Sequence, residues 1–266
     1  MQPHAAPGAS ARPGYRRAVL SDTQLDRYAR HLILKEIGGA GQAKLLAARV
    51  AVVGAGGIGS PALQYLAAAG IGHLSVIDDD RVELSNLQRQ TLFVTSQIGA
   101  RKAEAAATAL AAINPDARVT PHAVRITPAN VDAMIAGHDV VLDGTDNFAT
   151  RLLVAEAARR HRIPLISAAV AQFEGQLGVF RGWEAGKPCY QCLVGSDPAR
   201  AGESCAEDGV LGALTGVLGS LAALELCRAI VPFGSDSAGR LLIVDGLDFR
   251  FRTIALPKDP GCPACG

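Results

Sequence analysis

Aromatic residues are scarce in this 266-residue chain, at 5% of the sequence, and its formal net charge is only +1. Proteins that bind single-stranded nucleic acid use aromatic rings on which bases stack, and general nucleic-acid binders need a clustered basic surface. We therefore expect no nucleic-acid partner. Apolar residues make up 49% of the chain, which is too much for a disordered protein. The length allows one large domain or two small ones.

Long uncharged hydrophobic runs are also missing. The longest apolar stretch, residues 210–231, carries Glu225 and Arg228, whereas a membrane span needs about 20 mostly apolar residues without charge. We expect a buried helix there and no membrane partner. Residues 1–20 contain three arginines and no hydrophobic core of a secretory signal. We expect a disordered tail over residues 1–20, with a transit peptide as the alternative, and a cytoplasmic protein.

Cysteine is present six times, but a disulfide framework is not expected without a secretory signal. Four of the six form two C-x-x-C pairs, Cys189 with Cys192 and Cys262 with Cys265. Two such pairs can complete a tetrahedral zinc site, and four protein ligands leave no open position for catalysis. The pairs therefore favour a structural zinc, although their separation exceeds that of a zinc ribbon. A redox C-x-x-C would need a thioredoxin-like context.

Short apolar runs alternate with helical patterns along most of the chain, which predicts an α/β fold with a mostly parallel sheet. The late strands, near residues 241–245 and 247–256, are joined without helices and predict an antiparallel extension. A helix is predicted over residues 21–36, broken by the glycines of residues 38–41. Residues 182–209 show little periodicity and are predicted to form a long functional loop.

A glycine-rich motif follows the buried strand predicted at residues 50–53. Its glycines, which allow a tight turn and close backbone approach to phosphate, are Gly54, Gly56, Gly57 and Gly59. Asp78 ends the next predicted strand, at the position of an acid that binds a ribose. This motif predicts a nucleotide site and by itself does not separate NAD from ATP.

Polar and charged residues after Asp78 distinguish an ATP site from an NAD site. Asp80, Asn86, Arg89 and Lys102 follow within the next segment. A triphosphate needs cations that neutralise its charge and stabilise leaving pyrophosphate, whereas a dehydrogenase needs no such group. The sequence therefore favours ATP.

Seven motifs occur in order with compatible spacing: Arg27-Tyr28-Ala29-Arg30, Gly54-Ala55-Gly56-Gly57-Ile58-Gly59-Ser60, Asp78-x-Asp80, Ser85-Asn86-Leu87-Gln88-Arg89-Gln90, Gly99-Ala100-Arg101-Lys102, Asn114-Pro115 and Asp143-Gly144-Thr145-Asp146-Asn147. On these motifs the chain, from about Ser21 to Gly266, resembles the ThiF/MoeB/HesA family, the prokaryotic relatives of ubiquitin-activating enzymes. The resemblance implies a Rossmann-like, doubly wound fold with a structural zinc. It implies a single adenylation domain over residues 21–266, with a nucleotide-binding half at about 21–150 and a carrier-binding and zinc half at about 151–266.

Members of this family adenylate the C-terminal carboxylate of a ubiquitin-like sulfur-carrier protein that ends in Gly-Gly. The resemblance implies that Gly57 lies by the ATP and that Asp78 binds the ribose. It also implies roles for four further residues: phosphate binding by Asn86, Arg89 and Lys102, and Mg²⁺ coordination by Asp146. Asn147 belongs to the same motif and is expected beside the nucleotide.

Two residues are expected to act beyond the subunit's own nucleotide site. Arg30 would be an arginine finger that reaches the partner subunit's site, which implies a homodimer. Cys205 would form a covalent intermediate in the thiamin branch, whereas it is dispensable in the molybdopterin branch. No rhodanese-like extension is recognised, so a separate cysteine desulfurase or rhodanese-type protein would supply sulfur. The ending Asp259-Pro260-Gly261-Cys262-Pro263-Ala264-Cys265-Gly266 and the compact length favour the molybdopterin type.

Simpler interpretations stay open for several of these residues. Asp78 to Asp80 would also suit a solvated acidic turn, Arg30 a surface charge, and Lys102 an exposed helix start. Asp146-Asn147 would also suit a helix N-cap. For the whole protein, the alternatives are an NAD(P)-dependent oxidoreductase and a non-catalytic partner protein.

Overall fold

The computed structural model describes residues 20–195 and 209–266. Its core is a single eight-stranded sheet whose strands are β1 (Arg49–Val53), β2 (His73–Ile77), β3 (Arg118–His122), β4 (Val140–Asp143), β5 (Leu165–Ala171), β6 (Glu174–Phe180), β7 (Arg240–Asp245) and β8 (Arg250–Ala255). The strand order is β3-β2-β1-β4-β5-β6-β7-β8.

Five neighbouring strands, from β3 to β5 in this order, are parallel, and β6, β7 and β8 continue the sheet in antiparallel fashion. Val53 at the end of β1 pairs with Ile77 of β2 and with Asp143 of β4. The loops after these three strands therefore begin side by side at one edge of the sheet. The prediction of a Rossmann-like, mostly parallel sheet with an antiparallel C-terminal extension is confirmed.

Helices cover both faces of the parallel part. Their bounds are α1 (Asp22–Arg27), α2 (Ala29–Leu32), α3 (Gly38–Ala47), α4 (Gly59–Ala68), α5 (Lys102–Ile113), α6 (Val131–Ile135), α7 (Phe148–Arg160), α8 (Tyr190–Val194) and α9 (Gly212–Ile230). Side chains of α3, α4, α5 and α9 share one apolar cluster with the sheet, and side chains of α6 and α7 form a second cluster on the opposite face.

Helix α9 is long and apolar enough, by length and composition, to cross a membrane, and it is partly buried inside the fold. It packs on α4, β5 and β6, with Leu218 and Ala222 fully buried. Val217 and Leu224 remain exposed on its other face. The predicted buried helix is therefore a core helix with one open side.

The N-terminal prediction of one helix over residues 21–36 is wrong. The chain forms α1 and α2, which are separated at Tyr28. The Tyr28 ring is buried against Gly70, where a Cβ would lie only 2.6 Å from it, and its hydroxyl accepts a hydrogen bond from Asn114 Nδ2 at 2.9 Å. The helix therefore breaks at Tyr28 because this side chain packs against residues that are distant in the chain. The spacing of apolar residues in the sequence does not show such a contact.

The prediction that the glycines at positions 38, 39 and 41 break helical structure is wrong. These glycines lie within α3, which begins at Gly38. Gly41 packs closely on Ile37 and Val231, where a Cβ would lie 3.0–3.1 Å from their side chains. Tertiary contact thus overrides the low helix propensity of glycine. The predicted loop of residues 182–209 contains α8, and the strand predicted from residue 247 begins at Arg250.

Candidate functional site

The candidate nucleotide site lies at the ends of β1, β2 and β4. The N–H of Gly54 donates to the carbonyl of Ile77 at 2.9 Å. A Cβ on Gly54 would lie 3.2 Å from the backbone of Gly144. The chain runs from β1 outward to β2 and β3 on one side and then crosses back to β4 on the other side of β1. Ligands of open α/β sheets bind at such a switch point.

Glycines shape the loop between β1 and α4. Gly54 has φ +88°, a conformation that side chains rarely adopt. A Cβ on Gly59 would lie 1.9 Å from the carbonyl oxygen of Gly54, so no side chain fits at this position. The first turn of α4 therefore stands directly at the end of β1. Within the described part of the chain, no backbone carbonyl accepts from the N–H groups of Gly56, Gly57 and Ile58, which lead into α4, so these groups suit a phosphate.

Asp78 is tied to this loop. Its Oδ2 accepts a hydrogen bond from the N–H of Ala55 at 2.7 Å, and its Oδ1 accepts one from the N–H of Asp80 at 2.9 Å. Burial raises the pKa of Asp78, while the Ala55 N–H and the charge of Lys102 act against that rise. This carboxylate is oriented by backbone contacts and is not a freely solvated turn residue.

Lys102 is the first residue of α5, yet its side chain is only 5% exposed. Its Nζ lies 3.0 Å from Oδ2 of Asp80, and its N–H donates to the Asp80 carbonyl at 2.9 Å. The interpretation as an exposed helix start is therefore wrong. The structure places the buried ammonium group of Lys102 beside the acidic turn at the end of β2.

Asn86 and Arg89 follow in a short turn and are half-buried. The Nη1 of Arg89 donates to the Ser85 carbonyl at 3.2 Å, and Nδ2 of Asn86 donates to the Ser85 hydroxyl at 3.4 Å. In residues 20–195 and 209–266, no carboxylate pairs with Arg89. Its guanidinium is thus available to an anionic ligand.

Asp146 lies on the loop between β4 and α7. Below it, the buried Asp143 accepts hydrogen bonds from the N–H and hydroxyl of Thr145, at 3.0 and 2.8 Å. Arg151 donates to the carbonyls of Thr145 and Ala168. Asp146 is exposed, and within the described part of the chain its carboxylate has no hydrogen-bond or ion-pair partner. Its free oxygens suit a hard cation.

Asn147 caps α7, because its Oδ1 accepts a hydrogen bond from the N–H of Thr150 at 2.9 Å. The N-cap interpretation therefore holds for Asn147. The sequence motif that contains Asp143 gives that residue no role, and no sequence pattern points to Arg151. Both support the loop from below, and only burial distinguishes them from surface charges.

Arg30 is exposed on α2 and does not join this group within its own chain. Its segment is anchored by Tyr28 to Gly70, beyond the last residue of α4. The glycine loop precedes the first residue of that ten-residue helix. At 1.5 Å per residue, about 15 Å of helix separates the two ends.

The four cysteines of the C-x-x-C pairs lie together although 73 positions separate Cys189 from Cys262. Their Sγ atoms are all within 4.8 Å of one another, with distances of 3.9 Å (Cys189–Cys192), 3.6 Å (Cys189–Cys262) and 3.5 Å (Cys192–Cys265). Tetrahedral zinc with bonds of about 2.3 Å places its sulfur ligands about 3.8 Å apart. The cluster therefore fits zinc.

The two remaining cysteines, Cys205 and Cys227, lie outside the C-x-x-C pairs. Cys205 lies outside the described residues, so its predicted covalent role gains no structural test. Cys227 lies on α9, and burial raises its pKa to about 11. A thiol with such a pKa is unreactive at neutral pH.

An apolar surface surrounds the turn between β7 and β8. We call Phe173, Leu247, Phe249 and Phe251 the hairpin patch. Phe249 is 85% and Leu247 73% exposed, and the rings of Phe249 and Phe251 pack edge to face. Three of the chain's seven phenylalanines are exposed in this one patch. Exposed apolar patches of this kind are typical of sites that contact proteins, membranes or ligands.

A second apolar surface is a groove of about 550 Å³ between α2, α4 and α9. We call it the helix groove; its lining includes His31, Leu34, Tyr65, Leu224 and Phe233. Tyr65 is 60% and Leu34 48% exposed. The groove lies beside the segment that carries Arg30.

The model of the ThiF family matches residues 28–264. The "SAMP-activating enzyme E1" of Haloferax volcanii is 46% identical over 248 residues, which cover 93% of this chain and 91% of that protein. The "Sulfur carrier protein adenylyltransferase" of Thermus thermophilus is 46% identical, with 91% of each chain covered. The "Molybdopterin-synthase adenylyltransferase" of Escherichia coli is 42% identical over 94% of this chain and 99% of its own.

Solved structures show the same fold at lower identity. The structure of E. coli MccB with ATP superposes with a TM-score of 0.79 at 22% sequence identity, covering 91% of this chain and 74% of that one. The mixed sheet described above is thus a fold already seen in a protein crystallised with ATP.

The contact between Gly59 and Gly54 predicts a large cost for a single methyl group. Gly59→Ala would place its Cβ 1.9 Å from the Gly54 carbonyl, and we expect it to lower the free energy of unfolding by about 1–3 kcal/mol. Gly39→Ala is the matched control, because that helical glycine has open space around it. It should be neutral or stabilise by up to about 1 kcal/mol. Urea unfolding of both variants tests this, and equal effects would contradict it.

Proposed function

The chain belongs to the ThiF family, and we propose that it uses ATP to adenylate the C-terminal glycine carboxylate of a ubiquitin-like sulfur-carrier protein, with release of pyrophosphate. The adenylate prepares the carrier for thiocarboxylate formation. Relatives that match over 91% of their own length are named as sulfur-carrier adenylyltransferase and activating enzyme, which supports this proposal.

The observation that carries the proposal is the buried cation next to the glycine loop. Lys102 is held at 3.0 Å from Asp80, two residues from the acid that would bind the ribose. Arg89 lies on the intervening segment without a carboxylate partner within the described ranges. A dinucleotide gives no reason to place two cations there, whereas a triphosphate does. The oxidoreductase alternative therefore has less support.

The reaction asks mainly for positioning and charge neutralisation. The carrier's carboxylate is already ionised at pH 7 and needs no general base. It attacks the α-phosphorus of ATP, and the bond to pyrophosphate breaks. In this proposal Gly54, Gly56, Gly57 and Gly59 form the loop against the phosphates, and Asp78 binds the ribose. Asn86, Arg89 and Lys102 hold phosphate oxygens as the negative charge shifts to pyrophosphate.

Two metals complete the proposed enzyme. Asp146 would hold Mg²⁺, which would neutralise phosphate charge, and Asp80 and Asn147 would lie beside the nucleotide. The four clustered cysteines, Cys189, Cys192, Cys262 and Cys265, would hold a structural Zn²⁺. Zinc would join the segment after β6 to the C-terminal segment and stabilise the fold, since all four ligand positions are taken by protein.

The hairpin patch supports a protein substrate. Its exposed phenylalanines lie on the antiparallel part of the sheet, in the half of the chain (about 151–266) that we assign to carrier binding. The other half, about 21–150, would bind the nucleotide within the same domain of residues 21–266. Residues 1–19 lie outside the described part of the chain, and the proposed tail over residues 1–20 has no role in this scheme.

A homodimer is supported by the positions of Arg30 and the helix groove. Arg30 lies near the far end of α4 from its own glycine loop, so the arginine-finger role requires another subunit. The helix groove and the open face of α9, with Leu224 46% exposed, offer apolar area that a second copy would bury. We therefore propose that Arg30 completes the partner subunit's site.

The pathway is assigned by resemblance. We favour a molybdopterin-type carrier, and the relative of that name matches over 99% of its length. A thiamin-type carrier, with Cys205 in sulfur transfer, is the alternative. A cysteine desulfurase or rhodanese-type protein would donate the sulfur in the cytoplasm. A non-catalytic partner role is the remaining alternative, and it has little support because every matched catalytic position is occupied.

Carrier-dependent exchange of pyrophosphate with ATP tests the proposed function. We expect exchange with a purified molybdopterin-type carrier ending in Gly-Gly, and none with the same carrier lacking its last glycine. A thiamin-type carrier measured in parallel distinguishes the two pathways. Lys102→Met should reduce exchange by at least tenfold, because one charged contact to a phosphate is lost. Absence of exchange with both carriers would contradict adenylation.

Zinc removal should act on stability before it acts on nucleotide binding. After confirmed metal loss to a strong chelator, we expect a lower melting temperature and an unchanged affinity for ATP at 25 °C, because the cysteine cluster is structural. Cys192→Ser should lose zinc in the same way, whereas the control Cys227→Ala should retain it. Equal melting temperatures before and after metal loss would refute a structural zinc.

Mixing two inactive variants tests the role of Arg30 in the partner's site. Arg30→Ala and Asp146→Ala should each be inactive. After subunit exchange at equal amounts we expect about a quarter of wild-type activity, since half of the dimers are mixed and each has one complete site. Persistent inactivity of the mixture, with mixed dimers verified by mass spectrometry, would show that Arg30 does not act in trans.

A further inference from the structure

Gln90 is a buried polar side chain for which neither the fold nor the proposed reaction has yet given a use. It is 3% exposed and directly follows Arg89. Its backbone is fully engaged: its N–H donates to the carbonyl of Asn86 at 3.0 Å, and its carbonyl accepts from the N–H of Phe93 at 3.1 Å. These contacts hold the backbone of Gln90 in place and do not involve its side-chain carboxamide.

The carboxamide faces the glycine loop. Its Nε2 lies 3.8 Å from the position that a Cβ on Gly56 would take, and its Oε1 is buried with no hydrogen-bond partner among residues 20–195 and 209–266. The nearby hydroxyl of Thr215, whose side chain packs on Gly57, already donates to the carbonyl of Gly212 at 2.7 Å. Leaving a buried acceptor unpaired is costly, so the site is built for a donor that arrives with a ligand.

The ligand's chemistry identifies that donor. The phosphate chain of ATP has only acceptors at neutral pH, and its ribose hydroxyls are assigned to Asp78. The adenine amino group is a donor, but it lies on the far side of the ribose from the phosphates, whereas Gln90 faces Gly56 of the glycine loop. The carrier's tail, in contrast, has backbone N–H groups. The N–H of its last glycine is separated from the reacting carboxylate by a single carbon atom, so it must lie beside the loop when the carboxylate meets the α-phosphate.

We propose that Oε1 of Gln90 accepts a hydrogen bond from the N–H of the carrier's terminal glycine. This inference rests on the proposed function. Gln90 then acts as a positioning residue: it sets the register of the extended tail, so that the terminal carboxylate and no other group faces the phosphorus. One hydrogen bond close to the reacting atoms fixes the distance and direction of attack.

A variant of equal length tests this role. Gln90→Met keeps the shape of the side chain and removes the acceptor. We expect the KM for the carrier in pyrophosphate exchange to rise about tenfold, while the affinity for ATP, measured by calorimetry without carrier, changes less than twofold. Gln64→Met is the matched control, because Gln64 is a half-buried glutamine of α4 that accepts only a 3.4 Å hydrogen bond from Thr91. It should leave both values unchanged.

A modified substrate tests the same contact without altering the enzyme. A semisynthetic carrier whose last peptide bond is an ester, ending in glycolate, lacks the terminal N–H. Wild-type enzyme should lose about tenfold in KM with this carrier, and Gln90→Met should lose no more on going from amide to ester. Equal losses in wild type and variant would overturn the contact, as would a weakened ATP affinity in Gln90→Met.

Failure of this inference can be distinguished from failure of the proposed function. Normal exchange by Gln90→Met, alongside normal exchange by the wild type, would overturn the role of Gln90 alone. Absence of exchange by the wild type with every Gly-Gly carrier would overturn the adenylation proposal, and the role of Gln90 would fall with it.

Discussion

The close backbone approach between Gly54 and Gly59 is the constraint on which the site depends. With no room for a Cβ at Gly59, the first turn of α4 stands directly against the end of β1. This contact brings the N–H groups of Gly56, Gly57 and Ile58, which lead into α4, to the edge of the sheet. Gly144, at the end of β4, packs closely on Gly54 and Ile58 of the same loop. This packing also positions the segment that carries Asp146.

The charged side chains of the site are held in place by neighbouring groups of the protein. Asp78 is oriented by a backbone N–H, and Lys102 is buried against Asp80. The loop with Asp146 stands on buried Asp143. Burial of this kind holds side chains in one orientation and strengthens their interaction with a charged ligand. A site built in this way is suited to orient ATP and to stabilise its leaving group, which is what adenylation requires.

The two proposed halves of the domain meet at this loop. Thr215 of α9 packs on Gly57, and the same helix carries the exposed Leu224 beside the helix groove. A single element therefore touches both the candidate phosphate loop and the proposed subunit interface. The antiparallel strands continue the sheet away from β5 and present the hairpin patch. In the proposed scheme, the hairpin patch contacts the body of the carrier and the helix groove contacts the second subunit, while the carrier's tail and Arg30 of the second subunit reach the nucleotide site.

Residue types and short spacings by themselves determined the strand-and-helix order, the glycine loop, Asp78 and the two C-x-x-C pairs, because each depends on neighbours within a few positions. Only the tertiary structure decided the break at Tyr28, the helix that begins at Gly38 and the gathering of cysteines 73 positions apart. It also decided that Lys102 and Gln90 are buried. These features arise from contacts between segments distant in the chain, whose energies outweigh local propensity and leave no periodic pattern in the sequence.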